Sequence, residues 1–306
     1  MKNLNTPNVA VLMPSYNGSK FIDKQILTIL NQNKVSLTLY IFDDDSEDDT
    51  FSKISKFNSV KLKKIRSLPE MPGKKSAAKS FFRIILGIEL ESNYDFVAFA
   101  DQDDIWFSNK LSKALNFLKN KKYSGYSSSI LAFWKDGRTK LLQKSGFVSK
   151  FNSLFESAGP GCTYVINRET FDLFRAFLIK NKNRFNNVDF HDWTIYAFAV
   201  NNGLNWFIDS SPGMLYRQHD NNSFGARYSF EQYFKRLKLI MNGWYFSQVY
   251  INHKLYFSNS IILKFPNFMI LHRIYFFIMV LIYRRKFLDK ISLSLLSLVS
   301  KLKIDE

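Results

Sequence analysis

The chain has 306 residues, 46% of them hydrophobic, and a formal net charge of +17. That length and apolar content support one large domain, or a domain with an appendage, and exclude a disordered polypeptide. The single cysteine, Cys162, excludes an internal disulfide framework and predicts a reducing compartment, with Cys162 itself a small buried hydrophobe.

The opening MKNLNTPN leads into only five apolar residues, Val9 to Met13, so no secretory leader is predicted and a cytoplasmic protein is expected. Strands are predicted at Val9 to Met13, Leu37 to Phe42, Val60 to Ile65 and Tyr94 to Ala100. Between them, Ser19 to Asn31, Asp48 to Phe57 and Lys74 to Glu91 carry apolar residues at helical spacing, and a further helix is predicted over Asn109 to Lys119. Strict alternation of this kind reads as a parallel sheet with crossover helices. Ligands of such sheets bind beyond the carboxyl ends of the strands. Chemistry is therefore expected after Met13, Phe42 and Ala100, where the chain reads PSYNG, DDDSEDDT and DQDD.

Farther along, strands are predicted at Ser127 to Trp134 and Thr163 to Asn167, and helices at Glu169 to Lys180 and from His191 in HDWTIYAFAV. SAGPGCTYVI, residues 157–166, sets two glycines and a proline before an apolar run. Either its backbone approaches another group closely or it is a plain tight turn. There is no internal repeat and no low-complexity tract. A boundary near Ser229 separates residues 1–228 from a helical region, 229–306. From Glu231 onward, 12 Lys and Arg stand against 4 Asp and Glu, interleaved with apolar residues as in FMILHRIYFFIMVLIYRRKF, 268–287. The uninterrupted apolar run Ile274 to Tyr283 is too short for a bilayer span, which needs about 20 residues. It predicts a helix lying in the headgroup region of an anionic membrane, with Arg273, Arg284, Arg285 and Lys286 near phosphates. The other reading is a core helix of a small C-terminal subdomain.

The acidic segments carry the chemistry. After the second strand, Ser46 or Asp48 can cap the next helix, and one carboxylate can accept the imide N–H of a pyrimidine; a solvated acidic loop is the plainer reading. In DQDD, Asp101 and Asp103 lie one residue apart at a strand end, where they can reach a hard divalent cation and through it a diphosphate. Such a metal, Mg2+ or Mn2+, would act as a Lewis acid toward a departing nucleoside diphosphate. Neither GxxxxGK nor GxGxxG is present, which removes the main support for an ATPase or a dinucleotide enzyme.

VAVLMPSYNGSKFIDKQILTILNQ, IFDDDSEDDT, FADQDDIW, HDW at 191–193 and YRQHDNNSFG at 216–225 together resemble the family 2 inverting glycosyltransferases of the GT-A fold. The resemblance covers about residues 7–225, and its DQDD and YRQH forms are most similar to bacterial rhamnosyltransferases of O-antigen or capsule assembly. It implies an α/β mixed sheet, Rossmann-like, with flanking helices, followed by a C-terminal helical membrane-associating region. It also implies that Pro14, Ser15 and Tyr16 pack around the nucleotide and that Asp44 binds the base. Asp103 would be a metal ligand, Asp101 would lie nearer the ribose and diphosphate while sharing the metal, and His219 would support either. Asp192 would be the catalytic base. His191 and Trp193 flank it, Trp193 offering a sugar ring an apolar face. Asp192 also stands where a helix N-cap is expected, a role compatible with catalysis; His219 by itself would read as a loop histidine. Two positions depart from the family pattern: Asp45 replaces the glycine of DDGS, and Asp220 replaces the glycine of QHGNN.

The expected activity is transfer of a sugar, L-rhamnose from dTDP-L-rhamnose, onto a lipid-linked undecaprenyl diphosphate oligosaccharide at the inner face of the cell membrane. The enzyme would be peripheral, held by the anionic surface. The same chemistry with UDP-galactose, UDP-glucose or a UDP-N-acetylhexosamine is the alternative donor reading. A basic nucleic-acid-binding protein is the reading from another class; it lacks a binding motif, and the strand-end acids would repel phosphate. A catalytically silent scaffold of a polysaccharide complex is the third.

Overall fold

The structure is a computed structural model that describes residues 6–144, 146, 148–219, 230–257 and 269–301. Its strands form one nine-stranded mixed sheet. In chain order the first elements are β1 (Asn8–Ser15), α1 (Ile22–Leu30), β2 (Ser36–Asp43), α2 (Thr50–Lys56), β3 (Leu62–Ile65), α3 (Ala77–Gly87) and β4 (Phe96–Phe99). β1 pairs in parallel with β2 and β4, and β2 in parallel with β3, so the predicted alternation is present and the order is 3-2-1-4.

Both faces of these strands are covered, as a parallel sheet with crossovers requires. Along β1, Val9, Val11 and Met13 join one core with α1 and with Leu111, Ala114 and Leu115, while Ala10 and Leu12 join the other with α3. Side chains of period two thus split between two cores.

The second half is antiparallel at the join. It comprises β5 (Ile105–Trp106), α4 (Lys110–Leu118), β6 (Gly125–Phe133), β7 (Thr139–Leu142), α5 (Asn152–Phe155), β8 (Val165–Asn167), α6 (Arg168–Lys180), α7 (His191–Asn201) and β9 (Trp206–Arg217). β8 runs antiparallel to β4 and β6, and β9 runs beside β6 and ends against β5. The two-residue β5, the exposed β7 and the long β9 were not expected from sequence. β5 is too short to show a period, and β9 does not alternate, with Ser210, Ser211, Pro212 and Gly213 interrupting its run.

Four helices follow: α8 (Phe230–Met241), α9 (Trp244–Tyr256), α10 (Met269–Tyr283) and α11 (Phe287–Val299). The expected boundary at 228/229 and the departure at Asp220 lie outside the described residues. A third core joins Leu154, Phe155 and Trp193 to Ile240, Tyr245, Phe246, Val249, Phe276, Val280 and Leu293, so these helices dock on α5 and α7. Arg284 and Arg285 correct the expectation of headgroup contacts: their side chains are 11% and 6% exposed and fold inward onto Glu156. Among the described residues, no helix is long and apolar enough to cross a membrane.

Candidate active site

The ends of β1 and β2 form the first wall. Pro14 and Ser15 are buried, with Ser15 Oγ donating to the Phe42 carbonyl at 3.4 Å, so they make the floor of the site. Tyr16 is the exposed member of the trio, with the Lys75 ammonium 4.9 Å from its ring centre. Asp44 follows β2 and is buried; its N–H donates to the Ser15 carbonyl at 2.8 Å. Ser80 and Arg83, three apart on α3 and so on one face, both donate to its carboxylate. Lys75 donates to its carbonyl at 2.7 Å.

Asp44, Asp45, Met71, Gly73, Lys75 and Arg83 line a cavity of about 120 Å³. Each oxygen of a carboxylate can accept more than one bond, so Asp44 keeps capacity for a ligand N–H. Asp45, which stands at the family's glycine, takes φ 60°, the left-handed conformation that glycine favours and aspartate tolerates. The turn is therefore kept.

The DQDD loop is held from α1. Gln25 and Thr28, one helical step apart, and Gln32 just past the helix end meet its backbone and the stretch beyond: Gln25 donates to the Asp101 carbonyl at 2.7 Å, Thr28 accepts from the Trp106 N–H at 3.2 Å, and Gln32 donates to the Phe107 carbonyl at 2.8 Å. Gln102 exchanges two 2.9 Å hydrogen bonds with the Tyr16 backbone, joining the first segment to the third. A Cβ at Gly18 would lie 2.2 Å from Gln102 Oε1, so glycine is needed for this close approach.

Asp103 Oδ2 lies 2.7 Å from His219 Nε2, and the imidazole stacks on Phe21. Asp104 is buried; one oxygen accepts from the Arg217 N–H at 3.2 Å, and Oδ2 has no hydrogen-bond partner among the described residues. Asp101, Asp104 and Cys162 bring one donor atom each within 4.8 Å of one another. Burial pushes the Asp101 carboxyl up to about 7, with Asp103 adding to it, and drives Asp104 well above the usual carboxylate range. Lys110 is buried beneath them, its ammonium 3.4 Å from the Trp106 ring centre and lowered to about 7 by burial. Three carboxylates crowded at one strand end, Asp101 and Asp104 with raised pKa values, form an acidic cluster that fits a hard divalent cation.

The third wall is the start of α7. Asp192 lies in its first turn, not at the cap, which is Phe190; Oδ1 accepts from the Trp193 N–H at 2.7 Å. Burial pushes its carboxyl up to about 6, against the pull of nearby N–H groups and the Lys144 ammonium. Its charge in turn helps raise Asp101, so the two carboxylates share one field. His191 stacks on Phe81 with ring centres 3.8 Å apart, and burial lowers its imidazole to about 3. A Cβ at Gly161 would lie 2.2 Å from His191 Nε2 and 3.1 Å from Asp192 Cβ. The glycine-rich stretch thus approaches the HDW motif closely.

Trp193 requires a correction. It is 6% exposed, its indole N–H donates to the Ser153 carbonyl at 2.8 Å, and its ring stacks on Tyr245, so no face remains for a sugar. His191 is corrected in the same way, since its Nε2 is buried beneath Gly161. Gln102, Arg83, Cys162, Lys110 and Arg217 were not anticipated from the sequence. For Arg83 a signal existed: it is a charged residue inside the apolar SFFRIIL face of α3.

A sequence model of the glycosyl transferase family 2 matches residues 10–181. The dTDP-rhamnosyl transferase RfbG of Shigella flexneri is 41% identical over 237 residues, covering 78% of this chain and 82% of that protein. The Escherichia coli protein WfgD, a UDP-Glc:alpha-D-GlcNAc-diphosphoundecaprenol beta-1,3-glucosyltransferase, is 27% identical over 54% of this chain, which spans 62% of its length. Among solved structures, S. aureus TarS 1–349 in complex with UDP-GlcNAc superposes with a TM-score of 0.52 at 17% identity, over 89% of this chain and 80% of that one, a likeness of fold.

Proposed function

This chain belongs to glycosyltransferase family 2, and from that premise we propose that it transfers L-rhamnose from dTDP-L-rhamnose, with inversion, onto a lipid-linked glycan in surface polysaccharide (O-antigen or capsule) assembly. The observation that carries the reaction is that one short turn brings Asp192 and the DQDD loop together: a Cβ at Gly161 would lie 3.1 Å from Asp192 Cβ, and the neighbouring Cys162 sulfur lies within 4.8 Å of Asp101 and Asp104 carboxylate oxygens. Asp192 takes the proton of the acceptor hydroxyl as that oxygen attacks the anomeric carbon from the face opposite the nucleotide. The bond from that carbon to the diphosphate breaks, its electron pair leaves with dTDP, and the configuration inverts. A base with a pKa near the working pH suits this task.

Asp44 is assigned to the pyrimidine N–H, with Arg83 and Ser80 fixing its carboxylate, and Tyr16 to the nucleotide above the floor of Pro14 and Ser15. Asp103, Asp101 and His219 are assigned to hold Mg2+ or Mn2+, which when bound supplies Lewis-acid neutralisation of the leaving diphosphate. The donor sugar rests on the 41% identity to a dTDP-rhamnosyl transferase.

Residues 1–228 would form the catalytic unit and 229–306 a membrane anchor. In support, α10 exposes Leu271, Ile274, Ile278, Leu281 and Ile282, and α11 exposes Phe287, Leu288, Ile291, Leu295, Leu298 and Val299, each set along one helical stripe. Such apolar stripes, with the exposed Lys286 between them, suit a peripheral protein on the inner, anionic face of the cell membrane, where an undecaprenyl-diphosphate-linked acceptor is reached from the cytoplasm. No nucleic acid enters this reading.

The test is incubation of the purified protein with Mn2+ and dTDP-L-rhamnose, UDP-glucose, UDP-galactose or UDP-N-acetylglucosamine, and membrane-extracted lipid-linked glycans. Rhamnose incorporation from dTDP-L-rhamnose is expected. Transfer from a UDP-sugar alone would overturn the donor, and transfer from none would overturn the reaction.

A further inference from the structure

The segment between β3 and α3 carries neither helix nor strand, yet it is pinned at several points. Leu68 and Pro69 press on Gly87 of α3, where a Cβ would lie 2.5 Å from Leu68 Cδ2 and 2.6 Å from Pro69 Cδ. Their carbonyls accept from Arg83 at 3.3 and 3.4 Å, and the Glu70 carboxylate accepts from the same guanidinium at 2.7 Å. Gly73 ends the pinned stretch with φ 100°, which favours glycine, and a Cβ there would lie 2.4 Å from the Asn186 carbonyl oxygen.

What this segment presents is Met71. Pro69, Glu70, Gly73, Lys74 and Lys75 are exposed, whereas Met71 is 8% exposed and shares a core with Leu68, Ala78 and Phe82. It also lines the cavity beside Asp44, and among the described residues around that cavity it carries the one apolar side chain; the rest are charged side chains and Gly73. A cavity of about 150 Å³ takes a benzene ring. At about 120 Å³ this one has room for the single ring of a pyrimidine and not for the two rings of a purine.

The charged part of the cavity suits the imide edge of a pyrimidine. Asp44 offers an acceptor for its N–H, and Lys75, 3.7 Å from that carboxylate, and Arg83, bonded to it, offer donors to the flanking carbonyl oxygens. Uracil and thymine present this edge alike. They differ only at C5, where thymine carries a methyl group, and Met71 is the apolar surface the cavity has for it. We propose that Met71 selects thymine over uracil, its side chain covering the 5-methyl group of the base that Asp44 holds. This rests on the reading of Asp44 as the partner of the pyrimidine N–H. An unbranched, polarisable thioether adapts to such a contact, and one methyl group taken out of water sets a preference of about four- to tenfold.

The test is calorimetric titration of the full-length protein, with Mg2+, by dTDP and dUDP, which differ only in that methyl group, and by dCDP, which lacks the imide N–H. The parent should bind dTDP at least about fourfold more tightly than dUDP. Met71→Ala should bring the two within about twofold of each other, and Met71→Leu, still apolar, should keep most of the preference. Met71→Gln, of similar length but polar at its tip, should lose the preference as well, and it is read in the same way if Met71→Ala does not fold. Equal binding of dTDP and dUDP by the parent overturns the proposal. So does a ratio that Met71→Ala and Met71→Gln leave unchanged, even if both nucleotides then bind more weakly, since Met71 would be structural only. The dCDP titration separates this failure from that of the base reading. If dCDP binds as well as dTDP, the role of Asp44 falls and the proposal with it; if dCDP is rejected while dTDP and dUDP bind alike, the role of Met71 alone falls.

Discussion

At the scale of single residues, the site depends on burial tuning two carboxylates for different tasks. Asp192 is raised to about 6 chiefly by desolvation. A base works in its ionised form, so kcat/KM should be level above about pH 6 and fall about tenfold per unit below it. Asp192→Asn should lower kcat by roughly a hundred- to ten-thousandfold while dTDP affinity persists; a pH–rate profile and calorimetry check both. Gly161 has an ordinary φ, and its constraint is space: a methyl group there would meet His191 Nε2 at 2.2 Å. Gly161→Ala should displace the HDW turn, destabilise the protein by about 1–3 kcal/mol and lower kcat more than it raises the KM for the donor. Thermal unfolding beside steady-state kinetics would measure this, and an unchanged kcat would refute the contact.

At the scale of elements, α3 ties the nucleotide wall to the catalytic wall. Its Ser76 side chain caps the helix, Ser80 and Arg83 hold Asp44, Phe81 supports His191, and Lys79 donates to the Phe185 and Asn186 carbonyls. Breaking a buried ion pair on one side strands the other charge. Arg83→Met should therefore cost about 3–5 kcal/mol and weaken dTDP binding as well, because Asp44 loses its fixed orientation. Denaturant unfolding and calorimetry read the two effects separately. The helices and parallel strands of this half were legible because hydrophobic period separates 3.6 from 2 without reference to the rest of the chain. Gln25 and Thr28 share a face of α1 and Gln32 follows its end, yet their partners, the Asp101, Trp106 and Phe107 backbone, are set only by folding.

At the scale of the whole molecule, the C-terminal helices are part of the catalytic body's packing as well as a prospective anchor. Trp193, Leu154 and Phe155 are covered by α8 to α11, and Glu156 is paired with Arg284 and Arg285 from the turn between α10 and α11. A chain ending at residue 229 would expose that apolar surface and strip Arg284 and Arg285 from Glu156. It should lose cooperative unfolding and activity even toward a water-soluble acceptor. Retained activity and a normal thermal transition would show that the catalytic unit stands without these helices.

The sequence by itself determined the alternating strands and helices, the strand ends at which chemistry gathers, and the acidic motifs that carry it. Those features are local: period, composition and short motifs do not depend on distant residues. Tertiary structure decided the rest. It turned Trp193 and the two arginines inward, set the Lys110 ammonium against Trp106, and brought Gly161 against His191. Which face of a helix is buried, and how far a carboxylate is taken from water, depends on segments 40 residues away for Trp193 and 129 for Arg285, and no local pattern encodes such contacts.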